Sequence, residues 1–224
     1  YVDSAVKNGA VLRQASEVKG IKRVEGEGYE ITTPSSKIHC ESIINAGGPH
    51  AGLIGAMLDL DIPVKPFKRQ MFYIDNIPLG MKPLTFDLTS KAAIVFKKSG
   101  LVVGKHELRS ELGSFDDEIN LEEAQEKIDS AAQRVPALTG REASGGIAGL
   151  YEMTPDANPI IEEVSDMNEF YVVAGFSGHG FMHAPAVGEI VAAMVEKGER
   201  STIVEQFGLD RFKKSKLIKE ELVI

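Results

Sequence analysis

The spacing of apolar residues divides the chain into three textures. Val2, Ala5 and Val6 recur at helical spacing and Gly9 follows as a stop, so the chain opens on an amphipathic helix. Short β-type runs come next, at residues 10–12, 18–25, 28–34 and 37–48, and the last of them ends in Ala-Gly-Gly. Residues 50–59 return to a helical pattern. From residue 62 onward, β-rich pieces near 66–75, 84–89, 92–97 and 101–107 are joined by proline and glycine turns, which predicts an antiparallel sheet. Within residues 120–136, Asn120 and Glu123 form a helix-start signal, Leu121, Ala124, Ile128, Ala131 and Val135 make an apolar stripe, and Pro136 closes it. This helix is expected to cover one face of the sheet. Strands and turns resume over 145–174. A glycine-rich turn, an amphipathic helix and a charged tail follow, and the tail sets Phe212, Leu217, Ile218, Leu222 and Val223 among lysines and glutamates.

The order is therefore α/β, then antiparallel β with one helix, then α/β again, the pattern of one domain inserted in another. The expected fold class is mixed, α/β and α+β, with segments at 1–65, 66–143 and 144–224. Of the 224 residues, 43% are hydrophobic and 26% charged, and no apolar run approaches the roughly 18 residues that a membrane-spanning helix needs. A net charge of −8 offers no basic face to a phosphate backbone, which argues against nucleic acid and leaves small-molecule chemistry. The single cysteine, Cys40, excludes an internal disulfide, reads as a core residue and fits a reducing, cytoplasmic compartment. The first residues show neither an initiator methionine nor a secretory signal pattern, so the chain reads as cut from something longer.

Candidate chemistry concentrates in residues 170–195, FYVVAGFSGHGFMHAPAVGEIVAAMV. A strand, a glycine-rich turn and a helix N-terminus make a place for negative charge, because unpaired N–H groups point outward and the helix dipole favours an anion. Gly178-His179-Gly180-Phe181-Met182-His183 begins like G-x-G-x-x-G but ends in His, and Gly175-Phe176-Ser177-Gly178-His179 approaches G-x-S-x-G but also ends in His. Both matches are incomplete, and a turn whose glycines serve only tight strand–helix packing explains these residues equally well.

Three motifs together say more. INAGGPHAG at 44–52, GLYEMTPDANPII at 149–161 and GFSGHGFMHAPAVGEIVAAM at 175–194 follow the order and spacing of D-amino-acid-oxidase-like flavoproteins. Over essentially its whole length the chain resembles their branch of sarcosine oxidase β subunits and dye-linked proline dehydrogenases. The resemblance implies an FAD-binding domain interleaved with an antiparallel-sheet substrate domain. It also implies oxidation of a small amine or amino acid of the sarcosine, proline or glycine kind, by hydride transfer to flavin N5. Family members carry G-x-G-x-x-G for the FAD pyrophosphate in an N-terminal part that this sequence does not match. The chain is thus expected to be the C-terminal portion of a flavoenzyme, holding FAD weakly and inactive by itself.

Residue roles follow from the same resemblance. Ala46, Gly47 and Gly48 pass the FAD ribose and phosphates, Val18 meets the adenine through its main chain, and Pro155 and Asp156 lead into the strand under the flavin. Gly175, Ser177, Gly178, His179, Gly180, Phe181 and Met182 form the turn whose donors stabilise negative charge on the reduced flavin. Asp156 is equally readable as a plain turn residue. Several family sarcosine oxidases attach FAD through a cysteine where Gly149, Leu150 and Tyr151 stand here, so non-covalent FAD is implied. Members specialised for oxygen place a lysine at the position aligned with Val102, three residues before Lys105. Its replacement implies a dehydrogenase that passes electrons to another acceptor or a partner subunit. Arg69, Tyr151 and His106 are the candidates for substrate binding, and His179, Tyr151 and His183 for catalysis. Each has a structural alternative: Arg69 and His106 as surface or domain-junction groups, Tyr151 as a half-buried core ring, His183 as a capping or packing residue. Two readings come from other classes, a non-catalytic flavoprotein-like subunit kept for assembly and a hydrolase using Ser177 and His179.

Overall fold

Alternation in the first part of the chain produces short strands set off by turns. The computed structural model describes residues 1–77, 80, 82–98, 100–105, 113–199 and 201–218. It opens on helix α1 (Val2–Lys7), which buries none of its residues. Strands β1 (Gly20–Val24), β2 (Gly28–Thr32) and β3 (Lys37–Cys40) form an antiparallel meander in which Ile21 faces Ile31. Tyr29, 1% exposed, ties the meander to the rest of the molecule by donating its hydroxyl to the Asn168 carbonyl at 2.8 Å. Residues 10–12, expected as a strand, enter no regular element, because Val11 and Leu12 lie exposed with no strand to pair with. Strand β4 (Ile43–Asn45) and helix α2 (Ala51–Ala56) follow.

The eleven residues KPFKRQMFYID alternate two useful faces, and they form β5 (Lys65–Asp75), the spine of the second sheet. With β6 (Thr85–Phe86), β7 (Ala92–Phe96), β8 (Gly100–Lys105) and β9 (Gly145–Met153) it makes an antiparallel sheet of order β6-β7-β8-β5-β9. Phe72, Ile74, Ile94, Leu101 and Val103 on one face pack against Ala124, Ile128 and Ala131 of helix α3 (Ala124–Ala132). The helix expected over 120–136 is thus a short 3-10 turn (Leu121–Glu123), α3, and a second 3-10 turn (Pro136–Leu138). Asn120 caps as expected, accepting from the Glu122 N–H at 3.0 Å. The reciprocal half is supplied by Gln70 of β5, whose Oε1 accepts the Asn120 N–H at 2.6 Å, while Glu123 accepts from Lys127 and Gln70. Residues 145–153, which the reading by texture groups with the closing segment, hydrogen-bond to β5 along their whole length and so belong to the antiparallel sheet.

The third sheet joins distant parts of the chain. β11 (Phe170–Ala174) lies between β10 (Ile160–Glu163), antiparallel, and β4, parallel. Ile160, Phe170, Val172 and Ala174 are completely buried with Ile43, Val64 and Leu209. Each large side chain so buried contributes about 1.5–3 kcal/mol. Helix α4 (Gly180–Lys197) ends on Gly198 in the left-handed conformation, and α5 (Asp210–Lys213) closes the described chain. Arg211 of α5 grips Asp156 with Nε to Oδ2 at 2.8 Å and Nη2 to Oδ1 at 3.0 Å, so the C-terminal segment is bolted to the turn between β9 and β10. No helix among the described residues is long and apolar enough to cross a membrane. His106, Leu222 and Val223 lie outside the described residues.

Candidate active site

Because β4 and β11 run parallel, both release their chains at the same end of the sheet, where open α/β sheets place ligands. After β4, Asn45 shapes the turn: its Oδ1 accepts the Gly47 N–H at 3.2 Å and its Nδ2 donates to the Ala51 carbonyl at 3.0 Å. Ala46 is exposed and Gly47 and Gly48 are half-buried. After β11 the backbone takes φ of +82° at Gly175, +52° at Ser177 and +99° at Gly178 before α4 begins. Two of these glycines are demanded by the fold itself. A Cβ on Gly175 would stand 2.3 Å from Thr154 Cγ2, and one on Gly178 would stand 2.4 Å from the Tyr151 ring. Packing and left-handed backbone both require glycine there.

The first turn of α4 rests on Phe176 through Gly180 and leaves its other side open. His179 contributes no side-chain cap, the turn holds no acidic residue, and Phe181 and Met182 are 96% and 66% exposed. The His179 and His183 rings stack with centroids 6.2 Å apart, and His183 lies 6.3 Å from Phe176. Ser177 is fully buried, and its hydroxyl donates to the Gly175 carbonyl at 3.2 Å and the Glu152 carbonyl at 3.4 Å. A hydroxyl enclosed in this way is no nucleophile, which removes the hydrolase reading.

The open face of the five-stranded sheet adjoins this turn through Tyr151, whose ring covers Gly178. Register places Arg69 opposite Gly149, Phe67 opposite Tyr151 and Met71 opposite Ile147, all on the face that α3 leaves uncovered. Here a cavity of about 430 Å³ is lined by Met71, Leu84, Phe86, Val95 and Ile147, with Arg69 and Tyr151 at one end. Arg69 donates from Nη1 to the Lys105 carbonyl at 3.2 Å, and its guanidinium carbon lies 4.9 Å from the Phe67 ring centre and 5.2 Å from that of Tyr151. Val102 is 7% exposed on the same face, whereas Lys105 follows Leu101 and Val103 onto the covered face, where its ammonium pairs with Glu126 of α3.

The structure thus brings Arg69, Tyr151, His179 and His183 to the neighbourhood of one turn. Val18 is half-buried against the core of the first and third sheets, and Pro155 is exposed. Asp156 is used by the fold: its carboxylate accepts from Arg211, Asn158 N–H, Ile218 N–H and the Thr154 hydroxyl. Burial disfavours its charge, but Arg211 and these donors outweigh burial and hold the carboxyl below its ordinary range.

One residue of the site escaped the sequence reading. Glu152 Oε2 accepts the Gly175 N–H at 2.9 Å, and the neighbouring Phe176 N–H also favours its charged form. Burial pushes its pKa up, against the pull of the two backbone donors. The available signal was a lone acid inside the apolar run GLYEM.

The chain belongs to the FAD dependent oxidoreductase (DAO) family, whose model matches residues 1–194. Among solved structures it is similar to L-proline dehydrogenase from P. horikoshii, with 31% identity and a TM-score of 0.84 over 96% of this chain and 59% of that one. Glycine oxidase from Geobacillus kaustophilus superposes with 26% identity and a TM-score of 0.80 over 92% of this chain and 55% of that one. Among curated proteins, sarcosine oxidase subunit beta of Rhizobium meliloti is 26% identical over 99% of this chain and 53% of its own length. The chain spans between a quarter and about half the length of such relatives. FAD, the cofactor of the family, suits the residues present: two glycine-containing turns at the ends of parallel strands, and an exposed helix start with no side-chain cap.

Proposed function

We propose that this chain forms the flavin-facing and substrate-facing portion of an oxidoreductase that removes two electrons from a small amino acid or secondary amine, with sarcosine, proline and glycine as the reference substrates. The observation that carries this reading is the apolar cavity on the open sheet face, closed at one end by Arg69 and Tyr151 and bordered there by the turn into α4. Arg69 meets the substrate carboxylate, since a guanidinium offers paired donors to two oxygens. Tyr151, packed on Gly178 and beside Arg69, sets the angle between substrate and turn, and the aliphatic lining excludes water from the rest of the molecule. Bound non-covalently, FAD supplies the hydride acceptor. Gly48, Gly178 and residues 180–182 offer main-chain donors toward it, Ala46 and Gly47 pass it with backbone whose N–H groups are already engaged, and His179 is the side chain of the turn placed to touch it.

Val102 in place of a cation on the open face, with Lys105 turned to α3, supports an enzyme that hands its electrons to an acceptor other than oxygen, a dye-like carrier or a partner subunit. Cys40 is a free, half-buried thiol whose pKa burial raises, in keeping with a reducing compartment such as the cytoplasm. An anaerobic titration of the full-length gene product with proline, sarcosine and glycine, followed by flavin absorbance, tests the reading. Bleaching by one of them is expected, with reoxidation by a dye and not by air. A colourless full-length protein would sink the reading in favour of an assembly subunit, and rapid reoxidation by air would make the enzyme an oxidase.

A further inference from the structure

Glu152 is a half-buried acid with no lysine or arginine paired to it among the described residues, and its partners are main-chain donors. Its position is specific. A Cβ built on Gly180, the first residue of α4, would lie 3.6 Å from Oε1, and one built on Gly48, after β4, would lie 3.7 Å from Oε2. The carboxylate therefore sits between the two glycine turns, at the start of an eighteen-residue helix whose own first turn carries no acid. Its main-chain carbonyl takes the Ser177 N–H at 3.2 Å, so one residue of β9 holds Gly175 and Ser177 on either side of Phe176.

A helix N-terminus behaves as roughly half a positive charge, and in a partly desolvated site a carboxylate beside it cancels much of that field. We propose that Glu152 is a positioning residue that anchors the turn to β9 and offsets the positive end of α4, and so sets how strongly bound FAD favours its reduced, more negative form. This rests on the FAD reading above. An acid held between two glycine turns, facing main-chain donors rather than a cation and pushed toward its neutral form by burial, is the kind of arrangement found at functional positions.

The test is Glu152→Gln in the full-length flavoprotein, with the flavin potential, the melting temperature and amide exchange at Gly175 and Phe176 measured together. The neutral isostere is expected to favour reduced FAD by about tenfold, a shift of about 30 mV to more positive potential for a two-electron couple. The melting temperature should hold or rise, because the desolvated charge is gone. Exchange at the two amides should quicken at least tenfold. A residue serving only stability would lower the melting temperature and leave the potential in place, and that result would overturn the proposal, as would a shift to more negative potential. Full-length wild-type protein that takes up no FAD would overturn the cofactor reading instead, and amide exchange in that apo-protein would still decide the anchor: unchanged exchange in Glu152→Gln refutes it.

Discussion

Asp156 shows how far a residue's role can lie from its motif. The TPDANP turn is conspicuous in the sequence, yet nothing near it announces Arg211, which arrives 55 residues later to form a bidentate pair with both partners under a tenth exposed. Local signals report turns and caps, whereas a pairing across such a separation is fixed by the tertiary fold. Glu152 was illegible for the same reason: its partners are main-chain groups of another strand's turn. Arg69 and Tyr151, by contrast, were both readable as polar groups in a strand context, and the fold stacks them together. Removing one member of a buried pair leaves an uncompensated charge, at a cost of about 3–5 kcal/mol. Arg211→Met should therefore lower the unfolding free energy by an amount in that range. The double variant Arg211→Met/Asp156→Asn should recover much of the loss, because no buried charge then remains. Equal losses in single and double variants, by urea titration, would show that the pair is a bystander.

At the scale of elements, strands and helices were the legible part, because periodicity is a property of contiguous residues. The helix from Gly180 and the strand before it follow directly from residues 170–195, and the sheet strands near 66–75, 92–97 and 101–107 coincide with β5, β7 and β8 wherever those residues are described. What periodicity left open was the reason for each glycine, and α4 provides a contrast within a few turns. Gly178 has φ of +99° and a ring 2.4 Å from where a Cβ would stand, while Gly188 has helical backbone and open space around it. Gly178→Ala should therefore destabilise by about 1–3 kcal/mol through strained backbone and a displaced Tyr151, and weaken FAD retention in the full-length protein. Gly188→Ala should stabilise by about 0.5–1 kcal/mol, since alanine loses less chain entropy in a helix. Thermal melts of the two variants side by side check both signs, and a stable Gly178→Ala protein would mean that the turn tolerates a side chain.

For the molecule as a whole, the order of textures anticipated an antiparallel sheet enclosed between α/β segments, but not that β9 returns to that sheet, since its partners in β5 lie 72 to 88 residues earlier. The same long-range assembly determines how the fold responds to acid. Asp87 is held down at about 2 by the Ser90 hydroxyl and amide and by Arg134, which reaches across from the segment after α3. Asp156 is also depressed, by Arg211 and backbone donors working against burial. Glu123 is lowered by Lys127 first, burial opposing. For each of these the folded pKa lies below the unfolded one, so its contribution is present above the ordinary carboxylate range and is lost as protons bind on the way down. Glu152 runs the other way: its folded pKa is raised, so protonating it favours the fold, and its contribution is present in acid and disappears as pH rises through the folded value. Three depressed carboxyls that join separate elements outweigh one raised carboxyl within a single turn. Stability should thus be steady near neutrality and fall steeply between pH 4 and about 2, as read by urea midpoints at a series of pH values. Substituting Asp156→Asn should flatten that fall, whereas Glu152→Gln should leave it in place, because a raised carboxyl has already taken up its proton above that range; its absence should show instead as a smaller gain of stability as pH falls from neutrality toward the ordinary glutamate value. A midpoint that does not change between pH 5 and 2 would show that these ion pairs contribute nothing net to the fold.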